Sequence, residues 1–490
     1  MGRVSGLLKM LSPREMESLH NAAVSVLEKT GMWVDAEDAR DNFRKAGCDV
    51  NDVTRIVRFP RNIVEKAVET MRAGYADTSQ GEVWARVRYS RVLFTNKPHR
   101  LHRDFTANAG GFPPFILDLE GRHRKATMRD VVDSIRLADA LDNIDMMGLP
   151  CSAQDVPYDE RPIRMTAELL KRTKKIGGVE AWNRRDIRAI AEMADVVYGS
   201  REAGFAKGLI MGYAETRSPL CLDRNMSDIF IEYARMGFPQ SMDTMPCGGT
   251  TAPATSAATI VVGLAESLAC MVLGFAVNPG VRMSVTINPS LADMKTMVFP
   301  YASPDRMALM AGWTQMLHQF YRCPTGIHAG KTDACVPNAQ AGFEKALSTL
   351  VPVLFGAVGI GTLGQVNVAG ITYSPVQLVI DNEIVAYIRR ILRGFDVTRQ
   401  TLAVDLIHEV GPGGNYLTHP HTALNFRREF YLSDVVERIP WNAWELEELR
   451  GIEARAAAKA AAILAEHDPH PLARDQERAI DDIVAKYLGG

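Results

Sequence analysis

Residues 324–360 decide the fold, and they read PTGIHAGKTDACVPNAQAGFEKALSTLVPVLFGAVGI. This stretch predicts a short apolar strand over 324–328, a polar loop, a helix over 338–350 and a second apolar strand over 353–360. A strand, a helix and a strand in this order form a βαβ unit, whose two strands lie parallel in one sheet. The same rhythm continues on both sides of this stretch.

The alternation of strands and helices begins near Thr127 and runs for most of the chain. The predicted strands are 144–149, 175–179, 205–211, 240–245, 281–287, 324–328 and 353–360. The predicted helices are 162–172, 185–198, 226–236, 253–275, 304–321, 338–350 and 375–392. A continuous run of this kind is typical of a closed barrel of eight parallel strands. We therefore predict an α/β fold, a (β/α)8 TIM barrel, although the sequence does not reveal the eighth strand.

Helical segments are predicted at both ends of this alternation. Ser12 and Glu15 form a capping box that opens the first helix, and 83–87, 92–95 and 115–119 are candidate strands. The alanine-rich stretch 453–466 predicts a helix in the tail. We expect an N-terminal extension over 1–122, the barrel over 123–440 and a helical tail over 441–490, packed on the barrel.

Composition and charge narrow the classes of function. The 490 residues include 56 Lys and Arg against 58 Asp and Glu, so the net charge of -2 gives no field for nucleic acid or an anionic membrane. The 7 cysteines contain no C-x-x-C pair, which argues against a zinc site or disulfides and favours a reducing compartment. Without an apolar signal segment at the start, a cytoplasmic location is expected. Glu266 interrupts the apolar stretch 255–277, which we interpret as a buried barrel element and not a membrane span.

Three short motifs each have an ordinary structural explanation. The glycines of 359–364 match G-x-G-x-x-G, but a dinucleotide loop opens directly into a helix, and here ten residues precede the next predicted helix. His419 and His421 lack a third metal ligand at a recognisable spacing. Cys323 and Cys335 show no neighbouring base that would activate a thiol. None of these motifs defines a site.

Polar residues gather in the loops that follow the predicted strands. In a barrel these loops lie on one face and build the site. They are residues 247–251, 288–293, 328–333 and 361–367. Aromatic residues near this face include Trp182, Tyr213, Phe299, Tyr301, Phe355 and Tyr373. An aromatic cage with a carboxylate suits a quaternary ammonium ligand, and ordinary packing explains any one of these rings equally well.

The sequence resembles the trimethylamine methyltransferase superfamily, specifically its members that lack pyrrolysine. The resemblance runs nearly from end to end. It is carried by LSPREMESLHNAAVSVLEKTGMWVD at 11–35, GGTTAPATSAATIVVGLAESLACMVLGF at 248–275, GKTDACVPNAQAGFEKAL at 330–347 and HEVGPGGNYLTHPHTALNFRREFY at 408–431. It implies a TIM barrel that transfers a methyl group to the Co(I) corrinoid of a separate partner protein.

The resemblance also bears on the substrate. The archaeal founders carry pyrrolysine in the barrel, at a loop that corresponds here to 329–333, where every residue is standard. This departure favours a quaternary amine, such as glycine betaine, over trimethylamine. A quaternary ammonium already has a neutral tertiary amine as its leaving group, so methyl transfer to cobalt needs no proton. The protein acts by position and electrostatics.

Candidate site residues follow from this resemblance and from the predicted strand ends. The predicted catalytic residues are His328, Lys331 and Asp333. The predicted substrate-binding residues are Tyr213, Asp293, Glu344, Phe355 and Tyr373. Gly361, Gln365 and Asn367 are predicted to meet the corrinoid, which the partner carries, and no metal ligands are predicted. The expected partners are a small quaternary amine and a cognate corrinoid protein, with self-association left open.

Two other functions fit the same sequence. A barrel lyase or hydrolase would use His328 and Asp333 as acid and base, and it would turn over without corrinoid. A betaine-binding protein would keep the binding site without the chemistry.

Overall fold

The computed structural model describes residues 8–76, 105–206, 212–323, 326–448 and 450–489. The strands predicted over 83–87 and 92–95 lie outside these ranges. The predicted strand at 115–119 is present as Phe115–Leu117.

Short parallel strands make up the centre of the fold. In one sheet, Gln240–Asp243 lies between Gly212–Glu215 and Met283–Val285. In a second sheet the neighbours are, in order, Ile327–His328, Gly359–Leu363, Thr106–Ala109 and Met146–Met147. Met147 also forms a parallel bridge to Ile176. Neighbours in space are thus neighbours along the chain, except that the last strand, Gly359–Leu363, pairs with the first, Thr106–Ala109.

The strand Thr106–Ala109 supplies the partner that the sequence did not reveal. Its residues are Thr, Ala, Asn and Ala, which carry no run of large apolar side chains. Small residues fit there because Ala107 and Ala109 are fully buried between neighbouring strands. This strand precedes residue 123, where the sequence analysis places the start of the barrel.

Long helices follow the strands, close to their predicted positions. Several begin at a Thr, Ser or Asn whose side chain accepts a hydrogen bond from the first turn, including Thr127, Ser303, Asn338 and Ser374. The helices are Met128–Ala140, Arg161–Arg172, Arg184–Tyr198, Arg224–Arg235, Ser256–Val277, Pro304–Gln315, Ala339–Leu354 and Pro375–Arg393.

Two predicted strands are displaced. The strand predicted over 353–360 is Gly359–Leu363, because the preceding helix continues through Pro352 to Leu354 and buries Val353 on its packed side. The prediction of a strand over 205–211 is wrong at its start, where residues belong to the helix Arg201–Ala206. The strand itself is Gly212–Glu215, and 207–211 lie outside the described residues.

The most apolar helix is a core helix. Ser256–Val277 is long and apolar enough to cross a membrane by length and composition, yet 72% of its most apolar window is buried inside the protein. Its one carboxylate, Glu266, accepts hydrogen bonds from the Thr216 and Ser218 hydroxyls and from the Leu220 amide. A buried carboxylate satisfied in this way fits a packed interior.

Smaller units stand at both ends of the chain. At the N-terminus an antiparallel sheet packs with three helices, and the bounds of these elements are Pro13–Lys29, Met32–Val34, Glu37–Lys45, Asp49–Asn51, Ile56–Arg58 and Arg61–Ala76. At the C-terminus Ile452–Glu466 packs on Pro375–Arg393, and Arg474–Leu488 packs on Arg184–Tyr198.

A buried ion pair links two of the long helices to a strand end. Lys345 Nζ lies 2.7 Å from Asp381 Oδ2, and both side chains are almost fully buried. The same Asp381 oxygen accepts the Gly364 amide at 2.7 Å. Burial lowers the pKa of Lys345, and the neighbouring Asp381 carboxylate counters that shift.

We expect Asp381→Ala to destabilise the protein by about 3–5 kcal/mol, because it leaves the Lys345 ammonium buried without its counter-charge. Urea unfolding followed by circular dichroism measures this loss. The double variant Lys345→Met with Asp381→Leu removes both charges and should lose less stability than Asp381→Ala alone. Equal loss in the two variants would contradict the account.

Candidate active site

A cavity of about 440 Å³ opens where the parallel strands end. Its walls combine backbone at glycines with a few polar side chains, and most of the exposed wall is apolar. Three carboxylates line it: Glu180, Glu215 and Asp243. His328, Lys331 and Gln365 also line it. A mostly apolar cavity with a few convergent polar groups is typical of a small-molecule site.

The three carboxylates come from neighbouring positions in the fold. Glu215 and Asp243 are direct partners on adjacent parallel strands. Burial, and secondly the negative charge of Glu215, raises the pKa of Glu180 well above its usual value. Carboxylates that lie close together in a cavity favour a bound cation, which offsets their mutual repulsion and the cost of burying Glu180.

His328 is a neutral member of this site. Its Nε2 atom lies 3.3 Å from Asp243 Oδ2. Burial, together with the positive charges of Lys331 and Arg306, lowers the pKa of His328 to about 3. This shift favours the uncharged imidazole at neutral pH.

Lys331 is held in the cavity wall by Gln365. Lys331 Nζ donates to Gln365 Oε1 at 2.5 Å, and the Thr362 hydroxyl donates to the same oxygen at 2.7 Å. Burial, and then the nearby Arg306 charge, lowers the pKa of Lys331 well below its usual value. Gly370 makes this arrangement possible, because a Cβ there would lie 2.5 Å from Gln365 Oε1.

Arg306 fixes the loops that carry His328 and Tyr301. Its buried guanidinium donates to the backbone oxygens of Tyr301, Pro289 and His328, and to the Asn288 side chain. The Tyr301 ring lines the cavity, with Arg306 Cζ 4.9 Å and Lys331 Nζ 4.5 Å from its centroid. Two basic side chains of the protein itself thus face this ring.

The structure brings four predicted site residues to the cavity: His328, Lys331, Gly361 and Gln365. Asp333 and Glu344 stand behind the wall. The Asp333 carboxylate accepts the backbone amides of Tyr301 and Ala302 at 2.7 and 2.9 Å. Glu344 accepts the Thr332 hydroxyl at 2.5 Å and the Asp333 amide at 2.9 Å. Both carboxylates therefore position the loop 328–333 and do not line the cavity.

The other predicted site residues lie elsewhere. Asp293 is exposed in a turn, where it accepts the amides of residues 295 and 296. Phe355 ends the helix Ala339–Leu354, and the buried Tyr373 ring lies against Gly364. Asn367 accepts the amide of its neighbour Val368. Tyr213 lies in Gly212–Glu215, but its side chain is outside the part of the chain that the structure describes.

None of the three cavity carboxylates was predicted. Glu180 directly follows a predicted strand, so a search for acids at strand ends would have found it. Asp243 lies inside the strand predicted over 240–245, which ends at Asp243 in the structure. Glu215 was not recognised as an acid at a strand end, because its strand was predicted over 205–211 and is in fact Gly212–Glu215. Arg306, which lies in the first turn of the helix Pro304–Gln315, gave no signal beyond its place in that turn.

Comparison with known proteins places the chain in a family. The family profile described as trimethylamine methyltransferase (MTTB) matches residues 2–488. The chain therefore belongs to the trimethylamine methyltransferase family and is a methyltransferase. The sequence-based prediction of this family is confirmed.

Two curated relatives and one solved structure are similar to the chain. A trimethylamine methyltransferase of Desulfitobacterium hafniense is 28% identical over 99% of this chain and 95% of that protein. A glycine betaine methyltransferase of the same species is 26% identical over 99% of this chain and 98% of that protein. The monomethylamine methyltransferase structure of Methanosarcina barkeri is 10% identical, with a TM-score of 0.41 over 97% of this chain and 92% of that chain.

We expect Gly370→Ala to reduce methyltransferase activity at least tenfold, because the added Cβ displaces Gln365 and with it Lys331. Gly121→Ala is the matched control. Both glycines have a positive φ, 62° and 77°, but a Cβ at residue 121 meets nothing within 4 Å. Rates measured beside circular dichroism separate the two effects, and equal activity in the two variants would contradict this role of Gly370.

Proposed function

We propose that this chain takes a methyl group from a small quaternary ammonium compound of the betaine class and passes it to the Co(I) corrinoid of a separate protein. The observation that carries the proposal is the set of carboxylates Glu180, Glu215 and Asp243 lining one cavity. A quaternary ammonium cannot donate a hydrogen bond, so it is recognised by negative charge, aromatic faces and shape. Glu215 and Asp243 supply the charge, and Glu180 adds to it once the pH passes its raised pKa.

The carboxylate of a betaine substrate also has a basic group to bind in the cavity. Glu215 and Asp243 belong to one parallel sheet, whereas Lys331 and Gln365 follow strands of the other. A betaine carries an ammonium and a carboxylate a few atoms apart. We infer that its ammonium lies toward the three acids and its carboxylate toward Lys331, where a bound anion favours the charged form of the lysine.

The reaction requires no nucleophile from the protein itself, whose side chains position the substrate. When the partner's corrinoid is present, its Co(I) supplies the nucleophile and the nitrogen keeps the electron pair of the broken C–N bond. The carboxylates hold the cation before transfer, and one methyl group faces the mouth of the cavity. Because His328 is neutral, it adds no positive charge beside the ammonium. Positioning of this kind is a recognised source of rate enhancement.

We infer that the corrinoid of the partner protein approaches the open side of the cavity. The exposed Ile371 adjoins Gly370, which lines the cavity. Gly361, Gln365 and Asn367 remain our candidates for the residues that meet the corrinoid edge.

The geometry does not support the alternative function as a lyase or hydrolase. That mechanism needs His328 and Asp333 to act on one substrate. The Asp333 carboxylate is occupied by two backbone amides behind the wall. His328 faces Asp243 instead.

We further propose that the two parallel sheets are parts of one closed barrel of eight strands, with the segment at Ile176 as the third. The pairing of the last strand with the first, Gly359–Leu363 with Thr106–Ala109, supports closure. The barrel would then begin at 106, ahead of the predicted boundary at 123, with the tail from 441 packed on it.

We also propose a cytoplasmic location for the protein, since the Co(I) acceptor needs reducing surroundings.

The direct test mixes the protein with its cognate corrinoid protein in the Co(I) state and a panel of glycine betaine, proline betaine, carnitine and trimethylamine. We expect loss of the Co(I) absorbance with at least one betaine, together with release of the matching tertiary amine. Demethylation of trimethylamine alone would contradict the proposed substrate class. Turnover of a substrate without corrinoid would contradict the proposed reaction.

The raised pKa of Glu180 gives the binding of a cation a pH dependence. As the pH rises through that pKa, Glu180 ionises and attracts the ammonium, so the Kd for the betaine should fall. Above that pKa, Glu180→Gln should weaken binding on the order of tenfold, equal to ~1.4 kcal/mol, and the variant should lose most of this pH dependence. Calorimetry measures both effects. Glu28→Gln, at an exposed site, is the control, and an unchanged pH profile in Glu180→Gln would exclude this role.

Lys331 should make the site bind zwitterions in preference to simple cations. We expect Lys331→Met to weaken binding of glycine betaine about tenfold, a loss of ~1.4 kcal/mol, because the substrate carboxylate loses its counter-charge. Binding of tetramethylammonium, which has no carboxylate, should be unchanged or tighter. Equal losses for the two ligands would show that Lys331 supports the fold of the site and does not select the betaine.

A further inference from the structure

An amide side chain lies in the wall of the candidate active site without a clear structural purpose. Asn108 lines the cavity from inside the strand Thr106–Ala109, whereas Glu215 and Asp243 are the last residues of their strands. The Asn108 Oδ1 atom is buried, and it has no hydrogen-bond partner in the part of the chain that the structure describes. A buried polar atom without a partner costs free energy, so its place in a cavity wall needs an explanation.

Glycines on neighbouring strands leave room beside this amide. Asn108 and His328 both pair with Gly361, one on each side of the strand Gly359–Leu363. A Cβ at residue 361 would lie 3.2 Å from Asn108 Nδ2, and a Cβ at Gly177 would lie 3.3 Å from Asn108 Oδ1. Because position 361 is a glycine, a gap stays open in the cavity wall between the side chains of His328 and Asn108.

This gap lies on the side of the cavity that carries Lys331. Gln365 accepts a hydrogen bond from Lys331, and its side chain also reaches the loop that follows the strand of Asn108. A Cβ at Gly111, in that loop, would collide with Gln365 Nε2. Lys331, Gln365 and Asn108 therefore border the same part of the cavity, whereas Glu215 and Asp243 stand on strands of the other sheet.

We propose that Asn108 binds the carboxylate of the substrate together with Lys331 and thereby selects betaines over quaternary amines that lack an acidic group. This inference rests on the proposed function. In an in-line transfer, the rest of the substrate lies on the opposite side of the nitrogen from the reacting methyl group. With that methyl group at the mouth, the carboxylate points inward, where Asn108 Nδ2 donates to it. Hydrogen bonds to a charged acceptor are roughly twice as strong as those between neutral groups.

The other two reacting groups explain this amide less well. A quaternary ammonium donates no hydrogen bond, so it makes no use of an amide. The corrinoid stays on the partner protein and approaches the open side of the cavity, whereas Asn108 Oδ1 is buried from solvent. The substrate carboxylate is the one group of the proposed reaction that enters the cavity and accepts hydrogen bonds.

The test measures the binding of two ligands to two variants of the full chain by calorimetry. Asn108→Leu removes the amide at similar size, and Asn108→Asp replaces its donor with a negative charge. We expect both variants to bind glycine betaine at least about tenfold more weakly, the effect of losing a hydrogen bond to a charged group. Binding of tetramethylammonium, which has no carboxylate, should be unchanged in Asn108→Leu and unchanged or tighter in Asn108→Asp. Asn62→Asp, at an exposed site, is the control and should change neither affinity.

Thermal unfolding of the ligand-free variants separates ligand binding from support of the fold. An apolar side chain of similar shape removes a buried polar atom that has no partner, and such a replacement is close to neutral or stabilising. Asn108→Leu should therefore unfold at the wild-type temperature or above it, although it binds glycine betaine more weakly.

Three results would overturn the role of Asn108. Unchanged affinity for glycine betaine in both variants would show that the carboxylate binds elsewhere. Equal losses for the two ligands would show that the amide shapes the cavity and does not select betaines. A lower unfolding temperature in Asn108→Leu would show that the amide supports the fold. All three concern the variants, whereas a wild type that binds no betaine would contradict the proposed function and this inference with it.

Discussion

The buried guanidinium of Arg306 is the constraint on which the site depends. A charge in the interior must be surrounded by acceptors, and Arg306 satisfies this by drawing together the backbone of Pro289, Tyr301 and His328. Burial lowers its pKa only to about 10, so it stays positive at neutral pH. That fixed positive charge helps to keep His328 neutral and to lower the pKa of Lys331.

This arrangement divides the cavity into two regions of unlike charge. Three carboxylates stand where successive strands end, and Lys331 is held on Gln365, just beyond the end of the strand Gly359–Leu363. No residue in this account has to move a proton. A site with this division suits a zwitterion whose reactive methyl group sits at its positive end. The family supplies the reaction class, and the distribution of charge supplies the proposed substrate class.

Much of the fold could be predicted from the sequence, because helix caps and apolar runs are local signals. Thr127, Ser303 and Ser374 cap the first turns of their helices in the structure, and residue types of this kind are visible in the sequence. The strand Thr106–Ala109 could not be predicted, since its small residues are chosen by close packing against neighbours distant in sequence. The site was predicted in part, through His328 and Lys331. Asp293 and Asp333 look like site acids in sequence, and only three-dimensional structure shows that backbone amides occupy them.

The measurement that tests the central claim most directly is a crystal structure with glycine betaine bound. The account predicts that the trimethylammonium group lies within about 6 Å of the carboxylates of Glu180, Glu215 and Asp243, the range over which opposite charges act strongly. It also predicts that the betaine carboxylate contacts Lys331. A reversed ligand, or an ammonium bound away from all three carboxylates, would contradict it.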